Sequence, residues 1–129
     1  MNMPTDINVL AAWLGVLAGV LTGIASGLFF HREDWLGGYG SWPRRMLRLG
    51  HISLFGIAAL NFGFALTVRR FGWQTTQEAS LALAAANVLM PAVCFGAAWR
   101  SPIRQLFFLP VGCVLIAVVS LLWQRLAPL

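Results

Sequence analysis

Four long apolar stretches constrain this chain more than any other feature of its sequence. Each is about 20 residues long, the length that a helix needs to cross the hydrocarbon core of a bilayer. The predicted helices run approximately over residues 7–30, 46–68, 79–99 and 103–123. The links between them are short, so we expect residues 1–129 to form a single transmembrane domain without a separate soluble part.

The composition supports the same conclusion. Hydrophobic residues make up 59% of the chain and charged residues only 10%, whereas soluble domains carry about 25% charged residues. So few charged side chains cannot cover a surface that faces water, so lipid must solvate the outside. The sequence therefore predicts an all-α integral membrane protein, folded as an antiparallel bundle of four transmembrane helices.

The predicted helix ends carry local signals. Ser41 precedes Trp42 and Pro43, and proline is well tolerated in the first turn of a helix, so helix two is expected to begin here. The segment 75–78 reads Thr-Thr-Gln-Glu and is typical of a capping box before helix three. Ser101-Pro102 is expected to start helix four after a very tight turn, which forces an antiparallel pair.

The basic residues indicate topology. Net charge is +5, and all nine basic residues are arginines in the links or near the chain ends, so no basic stripe suited to nucleic acid is present. The side that holds the first and third links carries Arg32, Arg44, Arg45, Arg48, Arg100 and Arg104, while the side of the second link and the termini carries Arg69, Arg70 and Arg125. The positive-inside rule then places the first and third links in the cytoplasm and both termini outside, in the cell (inner) membrane.

The sequence contains no motif that names a reaction. All four acidic residues flank the apolar stretches, and no Ser-His-acid set or metal-type spacing can be assembled. Cys94 and Cys113 lie inside apolar stretches, as buried small residues do. The N-terminus lacks the positive region of a cleavable signal peptide. We therefore expect no catalytic residues and no metal site.

Glycines recur at every fourth position of helix one, at Gly15, Gly19, Gly23 and Gly27. Apolar burial does not draw helices together in lipid, so association depends on close approach, which a face of small residues permits. The pattern predicts tight packing, most simply on helix two or four. A homo-oligomer interface and a flat wall against a planar cofactor are the alternatives.

Two asparagines and a proline stand out in the middle of apolar stretches. Asn61 and Asn87 are predicted at matching depths on neighbouring helices, where an interhelical hydrogen bond between them is expected. Pro91 leaves the carbonyl of Asn87 without its helical donor. We interpret the group as a polar clamp over a proline kink. A ligand or ion site in a small oligomeric carrier or channel is the alternative.

The two histidines lie at the cytoplasmic end of the first helix pair. His31 ends helix one, and His51 lies about one turn inside helix two. Imidazoles on facing helices can hold the iron of a b-type haem, and a quinone site can also use histidine. The simpler interpretation is an interfacial histidine bonded to Ser53, to a carbonyl or to headgroups.

Three arginines, Arg44, Arg45 and Arg48, follow the first link. We expect them to pair with Glu33 or Asp34 and to bind anionic lipid headgroups, each interaction contributing about 1 kcal/mol near a charged surface.

The favoured function is that of a non-catalytic subunit or self-associating packing module in a membrane complex. Its partners would be the bilayer and other membrane subunits or further copies of the chain. The alternatives are a redox protein that binds haem b or quinone through His31 and His51, and an oligomeric carrier or channel built around Asn61, Asn87 and Pro91. No nucleic acid is expected as a partner.

Overall fold

The structure, a computed structural model, describes residues 4–127, and this part of the chain is helical without strands. The helices are α1 (Asp6–Phe30), α2 (Trp42–Phe71), α3 (Gln77–Trp99) and α4 (Phe108–Leu126). A short 3₁₀ turn, Trp35–Gly37, lies in the first link, and a 3₁₀ segment, Ser101–Phe107, leads into α4. Four helices, the last counted from Ser101, are long and apolar enough to cross a membrane. The all-helical prediction is therefore confirmed.

The ends of α2 follow the local sequence signals. The Ser41 hydroxyl accepts a hydrogen bond from the backbone N–H of Arg44 at 3.4 Å, and a proline occupies the first turn. The helix therefore begins at the expected Ser41 signal, four residues before the predicted apolar span at residue 46. It continues to Phe71, three residues beyond the prediction. Gly72 then ends it with a φ of 64°, a left-handed conformation that glycine adopts without steric cost.

The starts of α3 and α4 differ in detail from the prediction. Thr76, rather than Thr75, caps α3 by accepting from the N–H of Ala79 at 3.1 Å. The third residue after this cap is Ala79, whose side chain cannot bond back to the N-cap, so α3 begins with a simple threonine cap instead of the predicted capping box. Ser101-Pro102 begins a 3₁₀ segment instead of an α-helix, and regular α-helix starts only at Phe108.

The glycines of α1 receive side chains from α2 and α3. A Cβ atom built on Gly19 would lie 2.7 Å from the ring of Phe55, and one on Gly23 would lie 2.8 Å from the ring of His51. At Gly15 the neighbour is the amide of Asn87, at 2.8 Å. The packing is thus within the chain and largely on α2, one of the two predicted helices, with α3 in place of helix four at Gly15.

The fourth helix packs on the outside of α3. A small apolar cluster of Phe64, Ala79, Leu83 and Ala117 joins it to α2 and α3. In the most apolar 18-residue stretch of this last helix, counted from Ser101, only 11% of the residues are buried, compared with 44% in the corresponding stretch of α3. Helices α1, α2 and α3 therefore form the packed unit, and α4 is peripheral to it.

We expect Gly19→Leu to destabilise the protein by about 1–3 kcal/mol, because the new side chain would overlap the ring of Phe55 and force the helices apart. The matched control is Gly27→Leu, since no atom of the described chain lies within 4 Å of a Cβ built there. Thermal unfolding of both variants in detergent tests this, and equal stability of the two would contradict the packing.

Candidate functional site

The most polar region of the interior joins α1, α2 and α3. The Asn8 amide nitrogen donates to Asn61 Oδ1 at 2.8 Å and to the carbonyl of Ser80 at 3.0 Å. The Asn61 amide nitrogen donates in turn to the carbonyls of Ile57 at 3.0 Å and Leu83 at 3.1 Å. Both asparagines are fully buried. Two amide side chains thus connect three helices.

The predicted hydrogen bond between Asn61 and Asn87 is wrong. Asn87 instead donates through its amide nitrogen to the carbonyl of Ala11 at 2.8 Å. On α3, the carbonyl that Asn61 reaches belongs to Leu83, one helical turn before Asn87. The two asparagines therefore lie one turn apart, and Asn87 bonds to α1. The absence of a side chain at Gly15 makes room for it.

Asn8 is the residue of this network that the sequence analysis missed, because it lies close to the start of the first apolar stretch. Its spacing does carry a signal. Positions 8, 12, 15 and 19 follow one another by four, three and four residues, which places them on one face of a helix. All four are buried, so the face of the glycines also contains Asn8.

Pro91 is buried, and α3 continues through it to Trp99. Beside it runs an open groove between α1 and α3, about 360 Å³ in volume, whose lining includes Gly15, Thr22 and Asn87. Within residues 4–127, Oδ1 of Asn87 has no hydrogen-bond donor and is itself buried. The amide nitrogen of Asn87 donates to the carbonyl of Ala11 on α1, so this hydrogen bond joins α3 to α1 and is not available to a ligand in the groove.

His51 lies between α1 and α2. Its Nδ1 is 3.2 Å from the Thr22 hydroxyl, and that hydroxyl is placed to donate to the carbonyl of Gly19 at 3.1 Å. A hydroxyl has a single proton, so both contacts are satisfied when His51 carries its proton on Nδ1. The ring also lies edge-on to Phe55, with centroids 5.3 Å apart. Ser53, the expected partner, donates to Gly50 instead.

The structure does not bring His31 and His51 to a common level. The His51 ring lies against Gly23, whereas His31 follows the end of α1 and is exposed. Eight residues separate Gly23 from His31, which is roughly 12 Å along the helix. Among the described residues, no three His, Cys, Asp or Glu side chains cluster closely enough to hold a metal ion.

Arg44 closes the end of α1. Its Nη2 donates to the carbonyl of Phe30 at 2.8 Å, and its Nη1 donates to the carbonyls of Arg32 and Glu33 at 3.3 Å each. The last carbonyls of a helix lack intrahelical donors and carry partial negative charge, so a guanidinium stabilises them. Its carbon also lies 4.9 Å from the ring centroid of Phe30 and 5.7 Å from that of Trp35.

This placement corrects one prediction about the first link. The expected pairing with Glu33 or Asp34 is wrong, since the described residues contain one ion pair, which joins Arg69 to Asp6. Backbone carbonyls at the end of α1 take the place of the carboxylates. Headgroup binding by Arg44 stays a prediction, although its side chain is only 2% exposed.

Arg45 and Arg48 are more open to the surroundings. Arg48 donates to the carbonyl of Tyr39 at 3.0 Å, and its guanidinium lies 4.3 Å from the centroid of that ring. Arg45 is exposed, with its guanidinium 5.8 Å from the ring centroid of Trp42. Headgroup binding by these two arginines stays a prediction.

Comparison with protein-family models, with curated proteins and with solved structures gives no significant match for this chain.

We expect Asn8 and Asn61 to be energetically coupled. Asn8→Ala and Asn61→Ala should each lower the free energy of unfolding, and the double variant should lose less than the sum. The coupling between interhelical polar side chains is about 0.6 kcal/mol on average. Unfolding of the four proteins in detergent gives this coupling, and strictly additive losses would show that the Asn8–Asn61 contact is not formed.

We also expect His51→Ala to destabilise the protein more than His31→Ala. His51 fills the space beside Gly23 and contacts Thr22, so its removal should cost about 1–2 kcal/mol. His31 is exposed, and its removal should change stability by less than about 0.5 kcal/mol. Thr22→Val serves as a control, because it removes the hydroxyl that contacts His51 Nδ1 and leaves the imidazole ring in place beside Gly23. Equal melting temperatures of the two alanine variants would count against this packing.

Proposed function

We propose that the chain is an integral protein of the cell (inner) membrane, folded as an antiparallel four-helix bundle, and that it acts as a non-catalytic, self-associating packing module. The charge distribution supports an orientation with the first and third links in the cytoplasm and both termini outside. Six arginines and two acidic residues lie on the side of the first and third links, and three arginines and two acidic residues lie on the side of the second link and the termini. The larger positive excess belongs on the cytoplasmic side.

The observation that carries this proposal is a second stripe of small residues, on α2. Gly56, Ala59 and Gly63 follow one another by three and four residues and so lie along one face of the helix. Within the described part of the chain, no atom lies within 4 Å of a Cβ built on either glycine. Gly15, Gly19 and Gly23 of α1 are contacted from within the chain, whereas Gly56 and Gly63 of α2 are open.

An open stripe of this kind suits the approach of another helix. In lipid, helices associate through close backbone contact at small residues, because apolar burial gives no advantage there. Beside the stripe lies a groove of about 360 Å³ between α1 and α2, and Ala59 lines it together with Trp13 and Phe62. Trp13 and Phe62 are 64% and 48% exposed. These large side chains form ridges beside the small ones, as helix packing requires.

The alternative functions have less support from the geometry. A haem held by both histidines requires His31 and His51 at one level, and their levels differ by roughly 12 Å. A carrier or channel requires polar groups that face a passage. The amide nitrogens of Asn61 and Asn87 instead bond to neighbouring helices. A packing role is consistent with polar side chains that are already engaged within the chain.

We expect the double variant Gly56→Leu/Gly63→Leu to weaken self-association in liposomes by about tenfold or more, because leucines on the stripe hold a second helix away. Its thermal stability in detergent should match that of the wild type, since both new side chains meet open space. Energy transfer between labelled copies, measured over a series of protein-to-lipid ratios, gives the affinity.

The matched control is Ala25→Leu, which enlarges an exposed small residue of α1 outside the stripe. It should leave association unchanged. A wild-type protein that stays monomeric at every ratio, or an equal loss in the control, would show that the stripe is not a self-association surface.

A further inference from the structure

A second open feature lies where α2 begins, α3 ends and the 3₁₀ segment leads into α4. The indole N–H of Trp42 donates to the carbonyl of Ala97 at 2.7 Å. This bond fixes the first residue of α2 to the last turn of α3. The Trp42 ring therefore has a defined position at this end of the molecule.

Two guanidinium groups from different segments converge on that ring. The guanidinium carbon of Arg45, on α2, lies 5.8 Å from the ring centroid, and that of Arg104, on the 3₁₀ segment, lies 5.6 Å away. Both distances fall within the range of a cation–π contact. Both arginines are exposed. Two positive charges thus lie beside one indole ring, and the cation–π contacts leave the guanidinium N–H donors available.

These charges lack a partner of opposite sign. In residues 4–127, neither Arg45 nor Arg104 forms an ion pair with a carboxylate, and Arg69 with Asp6 is the one pair found. Arg44 and Arg48 belong to the same end, but their guanidiniums donate to backbone carbonyls. Arg45 and Arg104 therefore keep donors available for an anion, and among the described residues they are the two arginines beside the Trp42 ring.

An apolar hollow is lined by the same 3₁₀ segment that carries Arg104. It has a volume of about 550 Å³ and is lined by Pro102, Ile103 and Leu106, with Arg100 and Gln105 as its polar members. Arg104 directly follows Ile103 in the sequence. A small hydrophilic anion would leave the apolar lining uncovered. An amphiphile with an anionic head and an apolar tail complements both parts.

We propose that this corner (Trp42, Arg45, Arg100, Arg104 and the apolar hollow) binds one anionic phospholipid, with its phosphate at the guanidiniums and the start of an acyl chain in the hollow. Arginine suits this role because its planar fork donates two hydrogen bonds to a phosphate. The inference deepens the proposed function and rests on its bilayer insertion, but it does not depend on self-association.

The test compares lipid retention in nanodiscs of phosphatidylcholine that contain a minor fraction of either phosphatidylglycerol or phosphatidylethanolamine. Native mass spectrometry of the released protein counts the lipids that stay bound. We expect the wild type to retain one phosphatidylglycerol in preference to the other two lipids. Arg45→Gln and Arg104→Gln should each reduce this retention about fivefold, the change that corresponds to ~1 kcal/mol for one arginine near an anionic surface.

The matched control is Arg32→Gln, which removes the same charge from the same end at an exposed position away from the Trp42 ring. It should leave retention of phosphatidylglycerol unchanged. If it lowers retention as much as Arg104→Gln does, the attraction is a diffuse property of the basic end and the site is wrong. Unaltered melting temperatures in phosphatidylcholine establish that each variant is folded.

Two further arms separate the possible sources of the phosphate. Leu106→Gln makes the hollow polar without changing charge, and it should lower retention of phosphatidylglycerol. Inorganic phosphate should not displace the lipid. An unchanged Leu106→Gln variant together with displacement by inorganic phosphate would assign the corner to a free anion and overturn the lipid proposal.

Insertion itself is tested by flotation of the protein with phosphatidylcholine vesicles. Flotation without a preference for phosphatidylglycerol would refute the lipid site alone and leave the proposed function intact. Failure to float would refute both.

Discussion

The packing of α1, α2 and α3 depends on side-chain hydrogen bonds. In the bilayer that we propose as the environment of this chain, the lipid tails are as apolar as leucine, so burial of apolar side chains supplies no net force between helices. Asn8 supplies an attraction between the helices, because its amide nitrogen donates to Asn61 on α2 and to the Ser80 carbonyl on α3. A polar group left without partners in such surroundings costs several kcal/mol. The three helices are therefore held in one register, and the glycines of α1 meet their side chains only in that register.

Arg44 fixes the opposite end of the same helix pair. Its guanidinium donates to the carbonyl of Phe30 at the last turn of α1, while its own backbone N–H is capped by Ser41 at the first turn of α2. The end of one helix and the start of the next are thus joined through one residue. Between Asn8 and Arg44, the rings of Phe55 and His51 lie against Gly19 and Gly23. Contacts along nearly the whole of α1 set its position against α2.

The sequence predicts the helices well because their signals are local. Stretch length, the Ser41 cap and the proline after it depend only on neighbouring residues. The partner of Asn61 depends on how three helices are rotated about their axes, which spacing along one helix does not reveal. Equal depth suggested Asn87, whereas the nearer amide is Asn8. The spacing of Asn8 from the glycines of α1 could have placed it on their face of the helix. The burial of Arg44 could not be predicted, because the carboxylates in the same link are the usual partners of an arginine. The carbonyls at the end of α1 become alternative partners only after the link has folded.

The structure separates groups that are occupied within the chain from groups that are open. Gly15, Gly19 and Gly23 of α1 and the guanidinium of Arg44 have partners within the chain, whereas Gly56, Gly63, Arg45 and Arg104 are open. The open groups form two separate surfaces, because Gly56 lies fourteen residues after Trp42 on α2, or roughly 21 Å along the helix. A phospholipid at the Trp42 corner therefore leaves the α2 stripe uncovered. The two proposed interactions are physically independent, so leucines on the stripe should leave lipid retention unchanged, and glutamines at the corner should leave self-association unchanged.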